Sequence, residues 1–380
     1  MNNVGRTERK NSFRLKIEIL SNHRTANMTR QTRRSWLKKT AIVAAGWVVG
    51  GSHRVSFTGV HVEDSAPANP AISRPGGPAE SGQIPIIDTH QHLWDLSRLR
   101  LPWLTGSPKL NRSFLLSDYL EAIQGLPIVK AVYMEVAVDE SQLAEEAEAI
   151  IELCEKKAGP TVAAVIGGRP AAEDFETYIR RFAASPYVKG IRHILPGNQP
   201  DLWDRAQFVR GIELLGQLGL SFDLCPPPTL LGAAERLVAR CPETRFVLDH
   251  CGNADPVAFM SKTRLRTARI DRAPQHSLLE WREGIDRLAK HSNVICKISG
   301  IIARAPAGRW VVEDLAPIVN ICIDAFGEDR VVFGSDWPVC TLVASLREWV
   351  EALRQIVANR PVELQRKLFY ENAVRFYGLG

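Results

Sequence analysis

The chain has 380 residues, 45% hydrophobic and 24% charged, a composition that excludes a fibrous or wholly disordered protein and suits one large globular domain or two small ones. Its formal charge of +6 carries no nucleic-acid inference: residues 1–60 hold 12 basic and 2 acidic residues, whereas residues 61–380 hold 36 and 40. Seven cysteines with no Cys-x-x-Cys pair argue against a disulfide scaffold, and several sit in apolar runs that suit buried free thiols.

In chain order, residues 1–27 form a basic tail without a clear period. Residues 28–58 hold Thr32-Arg33-Arg34-Ser35-Trp36-Leu37-Lys38-Lys39 followed by an apolar segment over 41–49, the n-region and h-region of an export signal. The paired arginines resemble a bacterial twin-arginine signal, which implies a periplasmic protein. The apolar segment is too short to leave a membrane span in the mature chain. Nothing before Met28 helps such a signal, which makes Met28 a candidate start. Residues 59–83, rich in Pro, Ala, Ser and Gly, read as a cleavage region and disordered linker.

From residue 84 the pattern changes. Apolar runs near 84–92, 128–138, 161–166, 187–195, 220–225, 245–250, 293–299 and 330–336 read as strands. Amphipathic segments near 117–124, 141–157, 172–184, 206–218, 230–240, 277–291 and 310–326, with two closing helices, alternate with them. Residues 254–275 interrupt the alternation as a basic, irregular insertion. Eight strand–helix units predict a parallel sheet closed into a (β/α)8 TIM barrel over 84–380, with an open doubly wound sheet as the alternative. No Gly-x-Gly-x-x-Gly follows the first strand, so dinucleotide binding gains no support.

Active groups in such a barrel sit where strands end. His90 and His92 end the first strand and, two residues apart, point the same way. His193 lies at the end of strand four, His250 of strand six and Asp336 of strand eight. On strand six the expected inward row is Phe246, Leu248, His250; on strand eight it is Val332, Gly334, Asp336. Five polar groups on one rim are hard to explain as packing alone.

The residues also carry a resemblance. Asp88-Thr89-His90-Gln91-His92-Leu93-Trp94-Asp95, Gly190-Ile191-Arg192-His193, Asp249-His250-Cys251-Gly252, Cys296-Lys297-Ile298-Ser299-Gly300 and Gly334-Ser335-Asp336-Trp337-Pro338 resemble the amidohydrolase superfamily. They are most similar to its lactonase-like branch, which includes sugar-acid and pyrone dicarboxylate lactonases. The closing Asn372-Ala373-Val374-Arg375-Phe376-Tyr377-Gly378-Leu379 is similar to that family's last helix. The resemblance implies a lactone hydrolase. In this reading Asp336 is the general base, and His90, His92 and either His193 or His250 stabilise the oxyanion. The superfamily's binuclear pattern also uses a histidine on strand five. Here that strand reads Ser221-Phe222-Asp223-Leu224-Cys225-Pro226, so one divalent ion at most is expected. Zinc leads, held by His90, His92, His250 and Asp336, with metal-free catalysis as the alternative. Arg192 and Arg169 are candidate contacts for a substrate carboxylate, and Trp94 and Trp337 for stacking on a ring.

Two other functions fit the same residues. One is a metal-dependent amidohydrolase or decarboxylase on this barrel, since fold does not fix reaction. The other is a periplasmic binding protein for sugar acids without turnover, for which a retained base at Asp336 has no use. The expected partner is a small molecule, with no nucleic acid and no membrane span; the oligomeric state is left open.

Overall fold

The computed structural model describes residues 83–194 and 200–380. The basic tail, the twin-arginine segment and most of the linker lie outside the described residues. Among the described residues, no helix is long and apolar enough to cross a membrane.

Eight parallel strands pair in sequence order: β1 Ile86–Gln91, β2 Ile128–Met134, β3 Thr161–Gly167, β4 Val188–Arg192, β5 Ser221–Leu224, β6 Arg245–Leu248, β7 Val294–Ile298 and β8 Val331–Phe333. Beyond the last regular pairing, the Asp336 amide donates to the His90 carbonyl at 2.9 Å and the His92 amide to Trp337 at 2.8 Å. Those two bonds join β1 to the segment after β8 and close the sheet into a TIM barrel. They also fix the two histidines of β1 beside Asp336, so closure of the barrel and assembly of the rim are one event.

Each strand is followed by a helix: α1 Leu116–Ala122, α2 Leu143–Lys156, α3 Phe175–Ala183, α4 Ala206–Gln217, α5 Leu231–Arg240, α6 Leu278–Ala289, α7 Val312–Phe326 and α8 Leu346–Val357. Their apolar faces meet the outward side chains of the strands, such as Phe222, Phe246, Leu248 and Phe333, in one continuous layer. The barrel interior holds a second, smaller apolar cluster: Ile87, Val132, Met134, Val165, Val247, Ile295 and Val332. Ala373, Tyr377 and Leu379 of the C-terminal segment close its lower end.

This division corrects the expected facing of strand six. Phe246 and Leu248 belong to the outer layer, and Val247 points inward. The large apolar residues went to the strand–helix interface because a barrel lumen is narrow and takes smaller side chains. Strand eight has the expected parity, with Val332 inside. The insertion after β6 contains two short helical turns, Pro256–Phe259 and Lys262–Thr267.

Candidate active site

At the upper end of the barrel, three imidazoles surround one oxygen. The Asp336 Oδ1 lies 3.4 Å from His92 Nε2, 3.7 Å from His90 Nε2 and 4.0 Å from His250 Nε2. The His90 ring centroid is 4.9 Å from that of His92 and 4.4 Å from that of His250. All four residues are buried. Burial raises a carboxylate, but His250 and His92 beside it hold the Asp336 carboxyl below its ordinary value. Burial lowers His250, with the nearby acids Asp336 and Asp249 opposing, and lowers His90 strongly, so both are neutral at pH 7.

Backbone geometry aims these groups. Asp336 has φ of +56° and His250 of +55°, both in the left-handed region that non-glycine residues rarely enter. Each costs on the order of 1–3 kcal/mol, a strain met most often at functional sites. His250 opens a left-handed run through Asn253, and this run swings its ring back over the barrel mouth. Two glycines make room. A Cβ on Gly300 would sit 2.3 Å from His250 Nδ1, and one on Gly334 would sit 2.8 Å from the His90 Cβ. The free space is what lets the imidazoles pack so closely.

Beneath the rim lies a layer of buried charge. Lys297 Nζ contacts Asp223 at 2.8 Å, Asp249 at 3.0 Å and His90 Nδ1 at 3.2 Å. Arg192 donates to the Glu135 carboxylate at 2.7 Å and its carbonyl at 2.6 Å, and its Nη1 lies 3.2 Å from His90 Nε2 and 3.4 Å from Asp249. Burial pushes Asp223 up to about 7, despite Lys297. Burial also acts on Asp249, but Lys297 and His90 hold it far below the carboxylate range. Glu135 continues the network toward α2. Glu146 accepts from the Tyr133 hydroxyl at 2.8 Å and the Val136 amide at 2.7 Å, and burial plus the charge of Glu135 raise it to about 8. Lys297 and Arg192 thus share the firmly ionised Asp249, Arg192 is tied besides to Glu135, and two further acids, Asp223 and Glu146, are pushed toward protonation.

A family model for amidohydrolases matches residues 87–379. The chain belongs to the amidohydrolase family. An L-fucono-1,5-lactonase of Burkholderia multivorans is 29% identical over 303 residues, covering 77% of this chain and 96% of that one. A crystal structure of an amidohydrolase from Burkholderia multivorans with bound zinc matches with a TM-score of 0.67 at 25% identity, over 77% of this chain and 99% of that one. The 5-carboxyvanillate decarboxylase of Sphingomonas paucimobilis shares the fold alone, with a TM-score of 0.54 at 14% identity over 78% and 99% of the two chains. This amidohydrolase is accordingly a hydrolase, related to lactonases.

Four of the expected site residues, His90, His92, His250 and Asp336, come together in this amidohydrolase; the others do not. His193 follows Arg192, and consecutive strand residues face opposite sides. Arg192 takes the axis, so the His193 ring turns outward and stacks near Phe208 of α4 at 6.3 Å. Burial and Arg169 lower His193 to about 3. The expected role for Arg192 is also corrected: its guanidinium is buried and committed to Glu135, Asp249 and His90, which leaves it holding the histidine rather than reaching a substrate. Arg169 is committed to Glu140 at 2.9 Å and to the Gly168 carbonyl at 3.1 Å. Trp94 and Trp337 are 2% and 3% exposed and pack edge-on against Phe114, so neither offers a free face for stacking.

The rim donors fit one divalent ion. His90 Nε2, His250 Nε2 and Asp336 Oδ1 face one another, and ligand atoms of these residues lie within 4.8 Å of one another. Each ring has a partner at its other nitrogen. The His92 Nδ1–H donates to the Met134 carbonyl at 2.9 Å, His250 Nδ1 bonds Ser299 Oγ at 2.9 Å, and His90 Nδ1 lies 3.4 Å from Asp249. Such outer partners orient metal-binding imidazoles and point Nε2 at a common centre. Nitrogen and oxygen donors of this kind suit zinc. Arg192 Nη1, at 3.2 Å from His90 Nε2, competes for one of the four. On β5, Asp223 already bonds Lys297, and no histidine is present for a second ion.

Proposed function

We propose that the protein opens a lactone, the cyclic ester of a sugar acid or a dicarboxylic acid. The observation that carries this reading is the Asp336 carboxylate oxygen set among three histidine Nε2 atoms at the barrel mouth. The lactonase relative supports the substrate class.

Asp336 stays ionised and accepts a proton from a water that attacks the lactone carbonyl. Ring opening then requires a proton on the departing alkoxide, and the Asp336 acid formed in the first half can return it. The carbonyl oxygen gains negative charge in between. Arg192, fixed against His90, adds a positive field there that needs no reorganisation, and the Nε2 lone pairs of His92 and His250 would act on that oxygen through a bound ion. A divalent ion bound at the rim would be held by His90, His92, His250 and Asp336 and would polarise the carbonyl and lower the pKa of water. His90 and Arg192 keep their mutual contact only if the ion leaves the His90 lone pair free, so metal and arginine are alternative partners for the same nitrogen.

The reaction class is tested by a hydrolysis screen over aldonolactones and dicarboxylate lactones, read by acid release, with and without added zinc. Turnover of at least one lactone at a rate abolished by Asp336→Ala is expected; no turnover of any would overturn the reading. We also propose export by the twin-arginine route. A reporter fusion carrying Arg33→Lys with Arg34→Lys should stay in the cytoplasm, and unchanged periplasmic signal would end that proposal.

A further inference from the structure

Three cysteines meet on the far side of β7 from the charged layer. Cys251 comes from the left-handed turn after β6, Cys296 from β7 and Cys322 from α7. All three are free and fully buried. Their sulfurs lie within 4.8 Å of one another. Cys296 and Cys322 sit in the strand–helix layer, and the next residue, Lys297, turns inward to Asp223 and Asp249. Beyond the triad itself, Cys251 Sγ has a long contact to the Lys297 carbonyl at 3.8 Å and a backbone hydrogen bond from Ser299.

A lone buried cysteine is a small hydrophobe. Three from three separate elements, with sulfurs facing one point, are also a set of three soft donors. An equilateral triangle with the largest allowed side, 4.8 Å, has its centre about 2.8 Å from each sulfur, against about 2.3 Å for a zinc–thiolate bond. Movements of a few tenths of an ångström per side chain would close the cage.

Charge decides what fits. Three thiolates around a monovalent ion leave two negative charges in an apolar layer, and around a divalent ion they leave one. The nearest strand cation, Lys297, is committed on the opposite face. Burying unpaired charge there is costly. A trivalent thiophilic centre bonded to three sulfurs leaves none, and needs no fourth ligand.

We propose that Cys251, Cys296 and Cys322 form a capture site for trivalent arsenic. Arsenous acid carries three hydroxyls. Three S–H bonds and three As–OH bonds break, three As–S bonds form and three waters leave. No electron is transferred, and the product is neutral. Capture has a route to the rim, because Cys251 adjoins His250 in one left-handed run and Cys296 adjoins Lys297. Drawing the sulfurs together pulls on the segment that aims the His250 ring. The capture stands apart from the lactone reading and would hold for any reaction at that rim.

The test is arsenite added to the whole native protein, followed by gel filtration and intact-mass measurement. The expected product carries one arsenic in place of three hydrogens, and the seven thiols of the chain fall to four on titration in denaturant. Cys322→Ala should retain no arsenic, whereas Cys340→Ala, equally buried but outside the triad, should retain it. If Cys322→Ala does not fold, arsenic X-ray absorption on the wild type decides, with three sulfur neighbours expected. No adduct on the native protein, an undiminished adduct in Cys322→Ala, or two sulfurs or fewer around arsenic would each overturn the proposal.

Discussion

The rim and the layer beneath it are both buried and both polar, yet they differ in how their atoms are spent. In the layer, Lys297 and Arg192 are tied to Asp223, Asp249 and Glu135 at 2.7–3.4 Å, and little donor capacity is left over. At the rim, the three Nε2 atoms and the Asp336 oxygen face one another at 3.4–4.0 Å, longer than ordinary hydrogen bonds. Paired charge fixes position; loosely paired lone pairs remain available for a substrate, a water or an ion. The comparison assigns the layer to positioning and the rim to chemistry, and it can be broken by substitutions that confuse the two.

The largest effect should come from Lys297→Met. It leaves Asp223 and Asp249 buried without their shared cation, and breaking a buried pair this way costs about 3–5 kcal/mol. Equilibrium denaturation should record that loss. A change under about 1 kcal/mol would mean the layer is not what holds the barrel interior, since that is the size of an ordinary hydrogen bond.

A smaller effect lies at the outer end of the layer. Glu146 ionises near 4.5 when free and near 8 in the folded protein. Between those values the folded state holds the extra proton, so this group favours folding below about pH 4.5 and loses that contribution as pH rises through about 8. The slope is at most about 1.4 kcal/mol per pH unit. Glu146→Gln cannot titrate. Its stability relative to wild type should therefore improve from pH 4.5 to 8 and level off above. Parallel stability curves for the two proteins would show that Glu146 is not held protonated.

Much of this arrangement was readable before the structure, and the failures have physical reasons. Alternating strands and helices followed from period and turn residues, because burial imposes those periods directly. His90 and His92 were legible because both lie on one regular strand. His250 reaches the mouth by another route than the inward row expected of strand six. It completes no inward row; a left-handed backbone carries it to the mouth, and nothing local in Asp249-His250-Cys251 announces that turn except Gly252. His193 failed on a one-residue parity shift, because two adjacent polar residues give no sign of which one faces in. Lys297, Asp223 and Asp249 were overlooked as site residues. The signal was present: a single charge inside a short apolar strand must find a partner across the lumen. The tryptophans were misjudged because a ring beside a motif serves packing as readily as binding.

The metal count gives the finest distinction between the regions. Protein from zinc-supplemented medium should hold about one equivalent at most, because the rim supplies one set of donors, His90, His250 and Asp336, with His92 beside Asp336. His250→Asn should weaken retention, while Cys322→Ala should leave it unchanged. Two tightly held equivalents would mean that charges assigned to positioning are also ligands.

The central claim is that Asp336 is the base and that the layer only holds the rim in place. Asp336→Asn keeps the shape and removes the proton acceptor. On the best lactone, kcat should fall on the order of 10²–10⁴-fold while KM moves little and the denaturation midpoint stays near wild type. Added zinc should restore part of the activity of His250→Asn and none of that of Asp336→Asn. Near wild-type kcat for Asp336→Asn across the pH range would contradict the account and place the base on another residue.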